Sequence, residues 1–157
     1  AHSAAAFARP AQELPVSEAD AGAVQRRFCA PLSAGGTVAP MDFLREIQKV
    51  MQPLGNSLYR REDRLQAALK RVEELRAQLP CVAASTPHEL FEVNEFDAML
   101  LCAELFFRAS LLRKESRGWF LREDYPERAG TRKWYSFTNE NGSMAPSEET
   151  VPEYHIF

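Results

Sequence analysis

The chain has 157 residues, 45% of them apolar and 26% charged, with a formal net charge of −3. That balance fits one domain with a real core and excludes general nucleic-acid affinity, which needs clustered positive charge. Direct membrane insertion is excluded too: the most apolar run, AMLLCAELFF, falls short of the roughly 18–20 residues of a span and contains Glu104.

Residues 1–9 are rich in alanine and favour helix, and Pro10 and Pro15 interrupt them. The first residue is not Met, and neither a basic n-region nor a long apolar h-region follows, so the beginning reads as that of a fragment or a processed chain. Ser17 is placed to cap a short helix through Val24 and Phe28, with Glu18 and Asp20 in the first turn, where the helix dipole favours anions. A breaker-rich connection follows, with Pro31, Ser33, Gly35, Gly36 and Pro40.

From Met41 the apolar spacing is helical, with Phe43, Ile47, Val50 and Met51 on one side, until Pro53 and Gly55 end or bend the segment. A longer helix is predicted from about Ser57 to Leu79. Leu58, Leu65, Val72 and Leu79 form a seven-residue seam, with Ala68 and Leu75 between them. Arg60, Arg61, Asp63, Lys70, Glu73 and Glu74 read as its solvated faces. Thr86, Pro87 and Glu89 signal the start of a third helix, predicted to run to Lys114. It is apolar on nearly all faces between Phe96 and Leu112 and needs cover on several sides. Cys102 is expected to be buried there, and Glu104 and Arg108, spaced i,i+4, are expected to pair.

Gly118 is expected to close the third helix as its C′ residue. Beyond it, two extended runs flank Asn141-Gly142, a type I′ hairpin signal, with Trp134, Tyr135 and Phe137 in the first arm. Pro146 and Pro152 should keep the return arm short or at an edge.

Chemistry-bearing constellations are scarce. The three cysteines show no CxxC spacing, and there is no GxGxxG or Walker pattern. His2, His88 and His155 stand apart, and Ser110 and Ser116 lack a partner base. What stands out is LLRKESRGWFLREDYPER, Leu111 to Arg128, where arginines and carboxylates interleave with Trp119, Phe120 and Tyr125 around a rigid Pro126. Arg makes planar two-point contacts with carboxylates and carbonyls, and Arg with aromatics is the composition of a docking surface rather than a reaction centre.

The segment AELFFRASLLRKESRGWFLREDYPER resembles the C-terminal region of the succinate dehydrogenase/fumarate reductase flavoprotein family, through Ala103-Glu104-Leu105, Arg108-Ala109, Glu115-Ser116-Arg117-Gly118 and Arg122-Glu123-Asp124-Tyr125-Pro126. The stretch around Trp134, the Gly-containing hairpin and the Val151-Pro152 ending are similar to that family too. The resemblance covers most of the chain from Met41 onward, and AHSAAAFA looks like the end of the last helix of the family's flavin-binding domain. Where family members often carry Gly-Ala-His after Ser-Arg, this chain has Gly118-Trp119-Phe120, which points away from succinate dehydrogenase proper towards fumarate reductase-like, aspartate oxidase-like or adenylylsulfate reductase-like relatives.

The expected fold is therefore mainly α: a three-helix, spectrin-repeat-like bundle at 41–117, after an N-terminal segment at 1–40 and before an extended tail with a small β-hairpin at 118–157. The resemblance implies a parent FAD-dependent oxidoreductase whose cofactor and catalytic groups lie upstream, so that this stretch binds no cofactor and has a structural, docking role. Implied partners are the flavin-binding domain of the same parent chain and an iron–sulfur subunit, in the cytoplasm or peripheral at the cytoplasmic membrane face. Candidate domain-interface residues are Arg113, Glu115, Arg117, Trp119, Arg122 and Tyr125. The rival reading is an independent helical adaptor that docks a partner through the Leu58/Leu65/Val72/Leu79 seam or the 113–128 patch.

Overall fold

The computed structural model describes residues 17–140 and 143–152. The expected helix at 1–9, the Asn141-Gly142 turn, His2 and His155 lie outside them. Backbone contacts divide the chain into Ala1–Ala30 and Pro31–Phe157. In the first unit, helix α1 (Glu18–Cys29) begins as the sequence predicts: the Ser17 hydroxyl accepts from the Asp20 amide at 3.1 Å, and Glu18 and Asp20 occupy the first turn.

The second unit is built on α2 (Pro40–Met51), α4 (Glu62–Gln78) and α5 (Pro87–Leu112), joined by a one-turn helix α3 (Leu54–Ser57) and a 3-10 turn at Leu79–Cys81. The three long helices pack pairwise into the expected bundle. Phe43, Ile47 and Val50 of α2, Leu65, Ala68, Val72 and Leu75 of α4, and Leu90, Val93, Phe96, Leu100, Ala103 and Phe107 of α5 make the core. Phe43 and Phe96 meet with ring centroids 5.3 Å apart. The seam thus survives in its middle, with Leu65 and Val72 sealed, while Leu58 and Leu79 are only half-buried.

Helix α5 starts at a full capping box. The Thr86 hydroxyl accepts from the Glu89 amide at 3.2 Å, and the Glu89 carboxylate accepts from the Thr86 amide at 3.2 Å. Two of the orphan amides of a helix start are thereby satisfied. Thr86→Ala should lower stability by about 1 kcal/mol, with Thr86→Ser close to the parent, as read from urea midpoints.

Several local expectations are corrected. The second helix begins at Glu62, not Ser57, because Tyr59–Arg60 form a short strand, β1, parallel to β2 (Leu121–Arg122). That pairing joins residues some sixty positions apart, and no local pattern encodes it. Helix α5 ends at Leu112 rather than Lys114, with Arg113 already extended at φ −81° and ψ 108°. Gly118 therefore does not close the helix. It sits at φ 59° in a tight turn between Arg117 and Phe120, whose backbones exchange hydrogen bonds of 2.8 and 3.0 Å. A left-handed position is what a residue without Cβ tolerates best. Cys102 is exposed, because it lies on the side of α5 that also carries the exposed Met99 and Leu101.

The tail ends in an antiparallel hairpin, β3 (Lys133–Glu140) and β4 (Ser143–Thr150), in register from Lys133 opposite Thr150 to Glu140 opposite Ser143. The return arm matches the first arm in length, at eight residues, with Pro146 opposite Phe137. Proline is accommodated because both strands of an isolated hairpin are edges.

Candidate functional site

The charge-dense segment after α5 folds back onto the helix end and onto the entry of α4. Its centre is Arg122, whose side chain has 0% exposure. Pairing of β2 with β1 points this guanidinium inward. Nη1 donates to the carbonyls of Ser110 at 2.6 Å and Arg113 at 3.1 Å, two groups that the end of α5 would otherwise leave unpaired. Nε and Nη2 donate to the two carboxylate oxygens of Asp124, each at 2.7 Å. Asp124 also accepts from the Glu62 amide at 2.9 Å, so one Arg–carboxylate fork ties the start of α4 to the end of α5. The Tyr125 ring lies 4.9 Å from the Arg122 guanidinium.

The Arg122 guanidinium, and then the amide bonds to the carboxylate, hold the Asp124 pKa down from 3.8 to about 2. A carboxylate depressed on folding contributes stability that is present above its unfolded pKa and lost as pH falls through the folded one. The fork should therefore be fully effective above about pH 4 and fail towards pH 2. Asp124→Asn should be less stable than the parent at neutral pH and show a flatter acid limb, as read by urea midpoints against pH.

A second knot surrounds Glu115, which is 6% exposed. Its carboxylate accepts from Arg117 Nε at 3.1 Å and from the Ala129 amide at 3.1 Å, while Arg117 Nη2 donates to the Ala129 carbonyl at 2.6 Å. The Ser116 hydroxyl accepts from the Arg122 amide at 2.8 Å and lies 3.0 Å from the Tyr125 carbonyl. Glu123 pairs with Arg64 of α4. Glu104 and Arg108 pair at 2.8 Å as the spacing predicts; Arg76 brings a second guanidinium within 3.2 Å of Glu104, close enough for charge attraction but not aligned as a hydrogen bond.

The six predicted interface residues thus divide. Arg122 and Glu115 are turned into the domain's own interior, and Arg117 serves Glu115. Tyr125 is half-buried against Arg122 and Lys114. Arg113 is half-buried, its guanidinium 5.1 Å from the Phe120 ring centroid and 5.7 Å from that of Tyr135. Trp119, at the tip of the Gly118 turn, is 86% exposed.

Sequence reasoning missed Arg60. Assigned to a solvated helix face, it is 7% exposed and lies between the rings of Phe106 and Phe120, at 5.0 and 4.6 Å. No local signal marked it, because its burial follows from the pairing of β1 with β2.

His88 is exposed and 3.3 Å from Glu92, an ordinary i,i+4 contact. Among the described residues no group of three or more His, Cys, Asp or Glu is placed to hold a metal ion. The described parallel pairings are β1 with β2 and the single bridge Val38–Val82. β1 runs into α4 through Arg61 with no glycine, so these residues do not form the glycine-rich strand-to-helix cradle that a dinucleotide phosphate needs. The arrangement is that of a clasped helical domain with an aromatic and cationic surface.

Comparison with known proteins agrees. Residues 44–150 match the family model described as the fumarate reductase flavoprotein C-terminus, and the chain belongs to that family. It is 33% identical over 116 residues to the fumarate reductase flavoprotein subunit of Helicobacter pylori, a match covering 71% of this chain and 16% of that protein. To an FAD-dependent oxidoreductase of Methanocaldococcus jannaschii it is 33% identical over 95 residues, covering 60% of this chain and 17% of that one. The Sdh1 complex of Mycobacterium smegmatis in its apo form contains a chain that superposes with a TM-score of 0.72 at 27% identity, over 95% of this chain and 26% of its own length. The chain thus spans a quarter or less of the curated relatives it matches.

Proposed function

We propose that this chain is the C-terminal packing domain of an FAD-dependent oxidoreductase of the fumarate reductase/succinate dehydrogenase type. The match of 44–150 to that family's C-terminus carries the reading. In the parent, the flavin performs the redox chemistry and the protein positions it. The domain's part is to hold the flavin-binding domain through the surface around Trp119 and Arg113, with the Glu115 and Arg122 knots keeping that surface rigid. An iron–sulfur subunit is a further partner of the assembled enzyme. The parent acts in the cytoplasm or at the cytoplasmic membrane face; no helix among the described residues is long and apolar enough to cross a membrane.

The adaptor alternative loses its main support, because Leu65 and Val72 of the seam are 0% and 1% exposed within the domain's own core. Two measurements test the proposal. The isolated chain should purify without flavin absorbance; a stoichiometric yellow chromophore would contradict the reading. In the intact parent, Trp119→Ala should loosen the domain, seen as faster proteolysis between flavin-binding and helical regions. Unchanged proteolysis would remove Trp119 from the interface.

A further inference from the structure

Beside the clasp lies a groove of about 450 Å³, lined chiefly by Arg60, Phe106, Arg113, Phe120, Trp134 and Tyr135. Arg60 and Arg113 both line it, and among the described residues its lining contains no carboxylate. Among the described residues, the other buried and half-buried arginines each have a carboxylate partner. Arg122 has Asp124, Arg117 has Glu115, Arg108 has Glu104 and Arg64 has Glu123. Among the described residues, Arg113 has a 3.4 Å bond to the Lys133 carbonyl and the faces of Phe120 and Tyr135, and no carboxylate partner. Arg60 is buried to 93% of its surface by its 7% exposure, yet Nε and Nη1 find no hydrogen-bond acceptor among the described residues.

A buried guanidinium remains charged, and its unmet hydrogen-bonding capacity is costly. Ring faces at 5.0 and 4.6 Å offset part of that cost but accept no conventional N–H bond. Burial, and then the nearby positive charges of Arg122 and Arg113, pull the Arg60 pKa below its ordinary value. Asp124 neutralises one of these three arginines, which leaves a net positive floor under the groove. Trp134 at its rim is 53% exposed, an apolar surface that water covers poorly.

We infer that this groove is the socket for a carboxylate side chain, Asp or Glu, presented by the flavin-binding part of the same polypeptide. A carboxylate supplies two-point acceptors to guanidinium groups, and the aromatic walls exclude water around the pair. The occupant is assigned to the same polypeptide because the relatives are about four to six times as long as the stretch matched here, so most of each relative lies outside it, and because a carboxylate complements the two guanidinium groups of the lining. This inference rests on the docking role proposed above and adds a contact chemistry to it.

Hydroxyl-radical footprinting of the intact flavoprotein, compared with the isolated 157-residue chain, tests it at separate residues. Trp119 reports the docking face, and Trp134 and Tyr135 report the groove. The expected result is protection of all three in the intact protein, with the groove protection lost in Arg113→Met and partly restored in Arg113→Lys, which keeps the charge without the planar fork. Arg113 is half-buried on the rim, so these variants test the charge without emptying the core. Protection of Trp119 with Trp134 and Tyr135 still open would overturn the socket and leave the docking role standing. Protection of none would overturn both. Groove protection that persists in Arg113→Met would show that something other than a carboxylate fills the space. Saturable protection of Trp134 by sodium acetate in the isolated chain, without protection in the intact protein, would assign the groove to a small anion and also overturn the inference.

Discussion

Arg122→Met will destabilise the helical unit by about 3–5 kcal/mol, the cost of breaking a buried ion pair from one side. Methionine fills a similar length but donates nothing. The change leaves the Asp124 carboxylate without its counter-charge and frees the carbonyls of Ser110 and Arg113 in a place with little water. Lysine keeps the charge but loses the planar fork, which here reaches a carboxylate and two carbonyls at once, so Arg122→Lys should recover only a minor part. The double variant Arg122→Met with Asp124→Leu should be more stable than Arg122→Met alone, since removing both partners avoids a stranded charge. Urea denaturation of the parent, Arg122→Met, Asp124→Leu and the double variant completes the cycle. An Arg122→Met midpoint equal to the parent's would show that the fork is not what binds the end of α5 to the start of α4.

Phe107→Ala should cost about 3–5 kcal/mol, because it empties an aromatic volume from the middle of the bundle. Phe107 has 0% exposure and sits edge-on to Phe106 at 5.2 Å. Phe106 in turn forms one wall around Arg60, so the cavity would also loosen the cation's surroundings. Leu101, on the same helix but 39% exposed, is the control: Leu101→Ala should stay within about 0.5 kcal/mol in the isolated chain. Equal losses at both positions would mean that α5 is covered on a side the fold leaves open.

These two expectations mark a boundary in what the residues alone reveal. The existence of the long helices, the N-caps of α1 and α5 and most buried positions of the bundle were legible, since apolar spacing, Thr86-Pro87-Glu89 and Ser17 are local signals whose physics acts within a few residues. The segment 113–128 stood out by its charge and aromatic content, and its motif pointed to the family that the comparison then matched. The hairpin was legible as well, though not the full length of its return arm.

Which charges face outward was not legible. Arg60 and Arg122 resemble surface arginines in any local window. They are buried because β1 and β2 pair across the fold and draw both guanidinium groups towards the end of α5. A helix end leaves carbonyls that need donors, and only the tertiary path of the tail decides which donors arrive. Here Arg122 arrives with its own carboxylate and Arg60 meets none among the described residues, a difference set by the path of the tail and not by either residue's neighbours in sequence.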